Sequence, residues 1–301
     1  MLTIATRGSK LALWQAHWVA ERLAGLGEKC RIEVIRTTGD KITDVALSLV
    51  GTKGLFTKEI EEALLEGRAD LAVHSLKDLP TVLPGGLALA AIPAREDPRD
   101  AVIGRALADL PKRSVVGTSS LRRAAQLRVL RPDLAVKDVR GNVDTRLRKL
   151  DDGQFDAIVL AAAGVKRLGL ADRVAEYLPV DRMVPAVGQG ALAIETRDEA
   201  SDAVTACRQL NDAATRAAVT AERALLAALG GGCQVPIGAH ATVDGEALSL
   251  KAMVIAPAGG KPVRGSAAGA AGEAERIGRE LGEELLSRGA AEILEEVYGG
   301  A

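Results

Sequence analysis

The chain has 301 residues, enough for two or three domains of ordinary size, and is 48% hydrophobic but only 2% aromatic, so its cores must be built from Leu, Val, Ile and Ala. A formal net charge of -1 argues against an overall nucleic-acid-binding surface, and so few aromatics argue against a base-stacking platform. The N-terminus MLTIATRGSK has no cleavage signature, no apolar run reaches about 18 residues, and the three cysteines (Cys30, Cys207, Cys233) are too few and too scattered for a disulfide framework; a cytoplasmic chain with reduced thiols and no membrane partner is expected.

LTIAT (2–6) reads as a short buried strand and Arg7-Gly8-Ser9 as a loop. A helix follows to about Leu23, with Leu11, Trp14, Trp18 and Leu23 spaced for one face. RIEVIR (31–36) is the next strand. Residues 39–54 carry three glycines and mixed polarity, and part of this segment, including Lys53, reads as a mobile loop. The helix after it starts near Thr57, a candidate N-cap, and ends near Gly67. DLAVHSL (70–76) is a strand running into Lys77-Asp78-Leu79-Pro80. Strand, helix and strand alternate, so a largely parallel sheet is expected.

The middle of the chain repeats this grammar. SVVG (114–117) is a strand, TSS a helix start, LRRAAQLRVLR a helix stopped by Pro132, LAVKDVR (134–140) a strand, VDTRLRKL (143–150) a helix and FDAIVLAAAG (155–164) a long buried strand. GALAIE (190–195) has no obvious partner nearby and is expected to cross back to the first sheet. Two domains joined by paired crossovers would form a hinged cleft. After a helix over 212–230 come GGCQVPIG, alternating segments and a long helix, an α+β unit. The expected domains are 1–94 with about 190–209, then 98–186, then 212–301.

Charge is uneven. Residues 121–150 hold nine Lys or Arg against three acids, a local excess of +6. Arg128, Arg131, Arg148 and Lys149 read as a solvated helix face. Arg122 and Arg123 differ, because they follow GTSS at a strand-to-helix turn; Arg140 ends a strand and Arg146 lies one turn into a helix. Ligands of open α/β sheets bind beyond the carboxyl ends of the strands, and cations near a helix N-terminus are disfavoured unless an anion sits there. An anion among Thr118, Ser119, Ser120, Arg122, Arg123, Arg140 and Arg146 would explain the placement. Arg7, Ser9, Lys53, Lys58 and Lys77 extend the same argument to the first half, describing a ligand with several negative charges. Asp78 is out of place among these cations. It is either an ion-pair partner of Lys77 or an arginine, or a group that stabilises a developing cation or moves a proton. His17, His74 and His240 form no motif, His74 reads as a core residue, and no metal-ligand spacing or P-loop is present.

The motifs RGSKLAL, GTKGLFTKE, AVHSLKDLP, REDPRDA, VGTSSLRR, RGNVDTRL, LAAAGVKRLG, PAVGQGALAIE and GGGCQVPIG closely resemble the porphobilinogen deaminase (hydroxymethylbilane synthase) family, over a match running from Thr3 to EILEEVYGG. The resemblance implies three domains, the first two like the hinged α/β domains of periplasmic binding proteins and the third a small α+β domain. It implies a transferase of tetrapyrrole biosynthesis that joins four porphobilinogen molecules head to tail with loss of ammonia and then releases hydroxymethylbilane by hydrolysis, as a monomer. It places a dipyrromethane cofactor on Cys233 through a thioether. That cofactor would be held by Lys77, Thr118, Ser119, Ser120, Arg122, Arg123, Arg140 and Gln189. Arg7, Ser9, Arg146, Arg167, Lys53 and Lys58 would contact substrate, the two lysines from a lid region, and Asp78 would be the catalytic aspartate. Lys10 stands where a proline or small residue is expected, the stretch 101–113 is short, and Asp144 would weaken anion binding if it pointed inward. A solute-binding module has no use for Cys233, and a cysteine hydrolase lacks a base placed for it.

Overall fold

The computed structural model describes residues 1–41, 56–231 and 236–299. Its first sheet has five strands in the order β2-β1-β3-β10-β4. These are β1 (Leu2–Thr6), β2 (Cys30–Val34), β3 (Leu71–Ser75), β4 (Leu87–Ala91) and β10 (Leu192–Arg197). LTIAT is buried throughout, as a central strand with covered faces requires. Helix α1 (Lys10–Gly25) starts at Ser9, whose hydroxyl accepts a hydrogen bond from the Ala12 N–H. Its core-facing stripe is Ala12, Gln15, Ala16, Val19 and Leu23. Of the face expected from sequence, Leu23 belongs to that stripe and Trp18 packs, half-buried, against the same core. Leu11 and Trp14 lie instead toward the second sheet's unit, near Gly164 and Arg167, where bulky apolar groups cover the contact between the two. Helix α2 (Lys58–Leu65) covers the sheet with Ile60, Ala63 and Leu64.

The second sheet also has five strands, in the order β7-β6-β8-β5-β9: β5 (Asp100–Ile103), β6 (Val115–Gly117), β7 (Ala135–Lys137), β8 (Ala157–Ala161) and β9 (Val174–Leu178). Helices α3 (Leu121–Leu130), α4 (Val143–Asp151) and α5 (Ala162–Arg167) connect them. The strand expected over 134–140 is thus only three residues long. The long strand expected over 155–164 stops at Ala161, and its alanine-rich end turns into α5, because small apolar residues satisfy a helix as well as a strand.

Neither sheet is purely parallel. β2, β1 and β3 run parallel, but β10 is antiparallel to both β3 and β4. In the second sheet β7, β6 and β8 run parallel, and β5 is antiparallel to β8 and β9. The reason is topological. β5 and β10 are the strands that follow the two crossovers, and each runs opposite to the parallel strands of the sheet it belongs to. β10 does cross back to the first sheet, pairing Ala193 with His74 and Ile194 with Val73.

The third unit is an antiparallel sheet, β11 (Ile237–Asp244), β12 (Ala247–Val254) and β13 (Val263–Ala270), packed on two helices. Helix α6 (Asp202–Arg208) belongs to the first sheet's core, whereas α7 (Ala213–Ala228) and α8 (Ala274–Leu285) enclose the third core with Leu225, Leu250, Leu281 and Leu285. Each such side chain contributes roughly 1.5–3 kcal/mol on burial. The long terminal helix read from sequence is broken: Gly289 has φ 104°, and α9 (Ala291–Gly299) starts afresh beyond it.

Candidate active site

Many of the residues singled out from sequence lie just past the carboxyl ends of parallel strands in both sheets. β1 delivers Arg7 and Ser9, and β3 runs into a single 3-10 turn, Leu76–Asp78, that carries Lys77 and Asp78. β6 delivers Thr118, Ser119 and Ser120, and Arg140 lies three residues past the end of β7. The two sets face each other. Lys77, from the first sheet, lies in the field of Arg122, Arg123 and Asp100 of the second. Arg146, in α4, feels Asp78 across the gap.

The cations there are crowded and poorly hydrated. Burial, then the Arg123 guanidinium, pushes the Lys77 ammonium down to about 8, against the pull of Asp78 and Asp100. Burial, then Arg123 and Arg140, lowers Arg146 to about 10. Burial lowers Arg167 to about 10, opposed by Glu96. Arg146 Nε donates to the Gly141 carbonyl at 2.7 Å, and Arg167 Nη2 donates to the Gly190 carbonyl at 2.8 Å. Arg167 also lies over the Trp14 ring, 5.8 Å from its centroid, and Arg7 over the Phe56 ring at 4.1 Å.

Arg122 and Arg123 are of a different kind. They are only 3% and 6% exposed, and both close on Asp100, which is fully buried. Arg122 Nη1 lies 2.7 Å from Asp100 and 2.6 Å from the Val184 carbonyl. Arg123 Nε lies 2.9 Å from the same carboxylate, and its Nη2 donates to Gln189 Oε1 at 3.2 Å. Gln189, itself fully buried, donates through Nε2 to Asp100 (2.8 Å) and to the Pro98 carbonyl (2.7 Å). It thereby stitches the first crossover to the second. Gly190 permits this close passage: it has φ 90°, and a Cβ there would collide with the Glu96 carbonyl.

Several expected ligand groups have local duties. Ser9 and Ser120 cap α1 and α3. The Ser119 hydroxyl donates to the Val139 carbonyl (2.8 Å), and Thr118 Oγ1 accepts from the Ser120 N–H (3.2 Å). Lys58 is well exposed and lies 3.9 Å from Glu62, one turn along α2. Cys233 and Lys53 lie outside the described residues. Of the remaining thiols, Cys30 is half-buried and Cys207 buried. His74 is buried with Nε2 3.0 Å from Glu195, the core position read from sequence. Among the described residues no group of three His, Cys, Asp or Glu is placed to hold a metal ion, and no helix is long and apolar enough to cross a membrane.

Sequence reasoning passed over Asp100, Arg95 and Glu222. Arg95 Nη1 lies 2.6 Å from Glu222, a fully buried carboxylate in α7 that also accepts from the Gly188 N–H (2.7 Å) and the Ala241 N–H (2.8 Å). One side chain thus ties both crossovers to the third unit. The available signal was a glutamate on the apolar stripe Ala218, Val219, Ala221, Leu225, since a charge there must be paired.

Two family profiles match the chain: "Porphobilinogen deaminase, dipyromethane cofactor binding domain" over residues 2–205, and "Porphobilinogen deaminase, C-terminal domain" over 216–287. The chain belongs to the porphobilinogen deaminase family. A porphobilinogen deaminase of Syntrophobacter fumaroxidans is 52% identical over 99% of this chain and 98% of its own length. One of Geotalea uraniireducens is 53% identical over 99% of this chain and 95% of its own. Among solved structures, a periplasmic substrate-binding protein of an ABC transporter from Coxiella burnetii aligns with 70% of this chain and 91% of its own at a TM-score of 0.44 and 12% identity. A dipyrromethane fits the groups present in this family member: each of its pyrroles carries an acetate and a propionate, burial and the repulsion of neighbouring arginines lower Lys77 and Arg146, and burial lowers Arg167 against the pull of Glu96, so all three are poorly hydrated cations suited to carboxylates.

Proposed function

We propose that this chain is a porphobilinogen deaminase, a cytoplasmic and monomeric transferase of tetrapyrrole synthesis. It joins four porphobilinogen molecules head to tail with loss of ammonia, and water then releases hydroxymethylbilane. The observation that carries the reading is the meeting of Lys77 and Asp78, from one sheet, with Arg123 and Arg146, from the other, in a gap lined by desolvated cations.

The placement of the described residues supports their roles, and the family resemblance supports those of Cys233 and Lys53. Cys233 would hold the dipyrromethane through a thioether. When bound, the dipyrromethane supplies a polycarboxylate primer with a nucleophilic pyrrole carbon. Lys77, Arg140, Arg146, Arg167 and Arg7 would bind and orient carboxylates of primer and substrate, each a charge-assisted contact stronger in a partly desolvated gap than in water. Thr118, Ser119 and Ser120 would add hydroxyl and N–H contacts at the α3 start, and Lys53 and Lys58 would reach substrate from the lid region. Asp78 would stabilise the positive charge that develops on the pyrrole nitrogen as ammonia leaves, and take up the proton lost when the next ring attacks. Its exposure on a short turn leaves it open to substrate, and loading the gap removes the water that would screen it.

Intact-protein mass spectrometry tests the reading. Protein made in porphobilinogen-producing cells should exceed the mass of the bare sequence, and Cys233→Ser should abolish the increment. A bare-sequence mass in the wild type, or an increment that survives the substitution, sinks it.

A further inference from the structure

The two arginines at the start of α3 share one acid. Asp100 opens β5, directly after the first crossover, and its side chain has no solvent exposure. Arg122 approaches it through Nη1 at 2.7 Å and Nη2 at 3.3 Å, and Arg123 through Nε at 2.9 Å and Nη2 at 2.8 Å. The other donors of the two side chains go to the Val184 and Val159 carbonyls and to Gln189, while Arg122 Nε is buried without a partner. Two buried cations with one buried anion leave a net +1 node in the floor of the gap. Its carboxyl is already ionised in place: burial alone would raise it, but Arg122 and Arg123 hold it well below the usual carboxylate range. The node also reaches the turn that carries Asp78, because Lys77, lowered first by burial, is lowered further by Arg123 and Arg122 and pulled up by Asp78 and Asp100.

A site that must add rings and then let the product go cannot hold every carboxylate as tightly as its cations allow. We infer that Asp100 is a positioning residue which acts through Arg122 and Arg123 as a resident counter-charge, weakening the floor's grip on pyrrole carboxylates so that the chain of rings can advance and leave. This rests on the polycarboxylate substrate proposed above. A purely structural ion pair would be expected only to stabilise the fold. A counter-charge makes a signed claim: without it, anions bind more tightly and turnover slows.

The test uses the full-length chain made without porphobilinogen, with malonate as a small dicarboxylate probe and calorimetry as the readout. Asp100→Asn should bind malonate about fivefold or more tightly than the wild type, since a full negative charge within a few ångströms of the cations is removed. Asp100→Glu, which keeps the charge, should bring affinity back to within about threefold. In the cofactor-loaded enzyme, Asp100→Asn should lower KM for porphobilinogen and lower kcat together, with pyrrole-laden enzyme accumulating by intact mass. Equal or weaker malonate binding, or a KM that rises as kcat falls, overturns the inference. If Asp100→Asn alone does not fold, the comparison is made in the Arg122→Gln background, where the added Asp100→Asn restores the node's net charge. Tighter malonate binding there upholds the inference, and equal binding, weaker binding or failure to fold overturns it. A wild type that does not convert porphobilinogen would defeat the functional reading, while the malonate comparison would still report on Asp100.

Discussion

Lys10 Nζ and Asp144 Oδ2 lie 3.0 Å apart and join the first turn of α1, over the first sheet, to the first turn of α4, over the second. These are two residues that stood out in the sequence, and each accounts for the other. A lysine at a helix N-terminus is unfavourable, an aspartate there favourable, and the pair offsets both charges. Both side chains are substantially exposed, so the contact is worth about 0–1 kcal/mol. Asp144→Asn and Lys10→Ala should therefore each change kcat/KM by less than about threefold, and the double substitution by no more than the larger single one. A tenfold fall in KM for Asp144→Asn would instead place that carboxylate's field inside the gap.

The Asp78 side chain is itself exposed, so its removal should leave the fold intact. Asp78→Asn is expected to keep the wild-type thermal midpoint and to lose about two to three orders of magnitude in kcat, the usual loss when a preorganised charge-stabilising group is removed. Steady-state release of tetrapyrrole, measured beside a melting curve, decides it. Turnover within a few-fold of the wild type would remove Asp78 from the chemistry.

Lys77 carries a pH prediction. Its ammonium is lowered from 10.5 to about 8 by burial and then by Arg123, so the folded chain gives up this proton earlier than the unfolded one. Between about 8 and 10.5 the unfolded state holds more protons, and stability rises with pH through that window. Binding runs the other way: a carboxylate needs the ammonium, so anion affinity falls as pH rises past about 8. A malonate titration across pH 7 to 10 should lose affinity in the wild type and stay flatter in Lys77→Met. Equal slopes would show that Lys77 is not the titrating contact.

Glu222 should matter to assembly rather than to chemistry. Glu222→Gln leaves Arg95 without its anion inside the protein and is expected to cost about 3–5 kcal/mol, read by denaturant unfolding. Burial raises this carboxyl, but Arg95 and then His240 bring it down from 4.5 to about 2. Its contribution is thus present above 4.5 and lost as pH falls toward 2. The wild type should lose stability through that window more steeply than the variant.

Much of this was legible in the sequence, for identifiable reasons. β1, β3 and β6 are short apolar runs ended by Gly, Ser or charged residues, so the turns carrying Lys77, Asp78 and Thr118 could be placed within a residue or two. β13, VRGSAAGA, was not legible, because small residues carry no strong alternation and its pairing with β12 comes from tertiary contact. Arg122 and Arg123 were found by charge and position, but their partner was not. Asp100 lies in REDPRDA among other charged residues, and only folding removes it from water while leaving Arg99 partly exposed. Glu222 likewise needed three chain segments to converge before its burial made sense.

The return of β10 to the first sheet has a further consequence, for biogenesis. Val73 pairs with Ile194, so the first layer cannot close until some 120 later residues have left the ribosome, whereas the second sheet, from Asp100 to Leu178, is complete before β10 is made. Vectorial synthesis therefore favours the inserted half folding first, with β3 held as an open edge that awaits its neighbour. Long-range closure of this kind is slow, and during that interval the nascent protein exposes its greatest liability to aggregation.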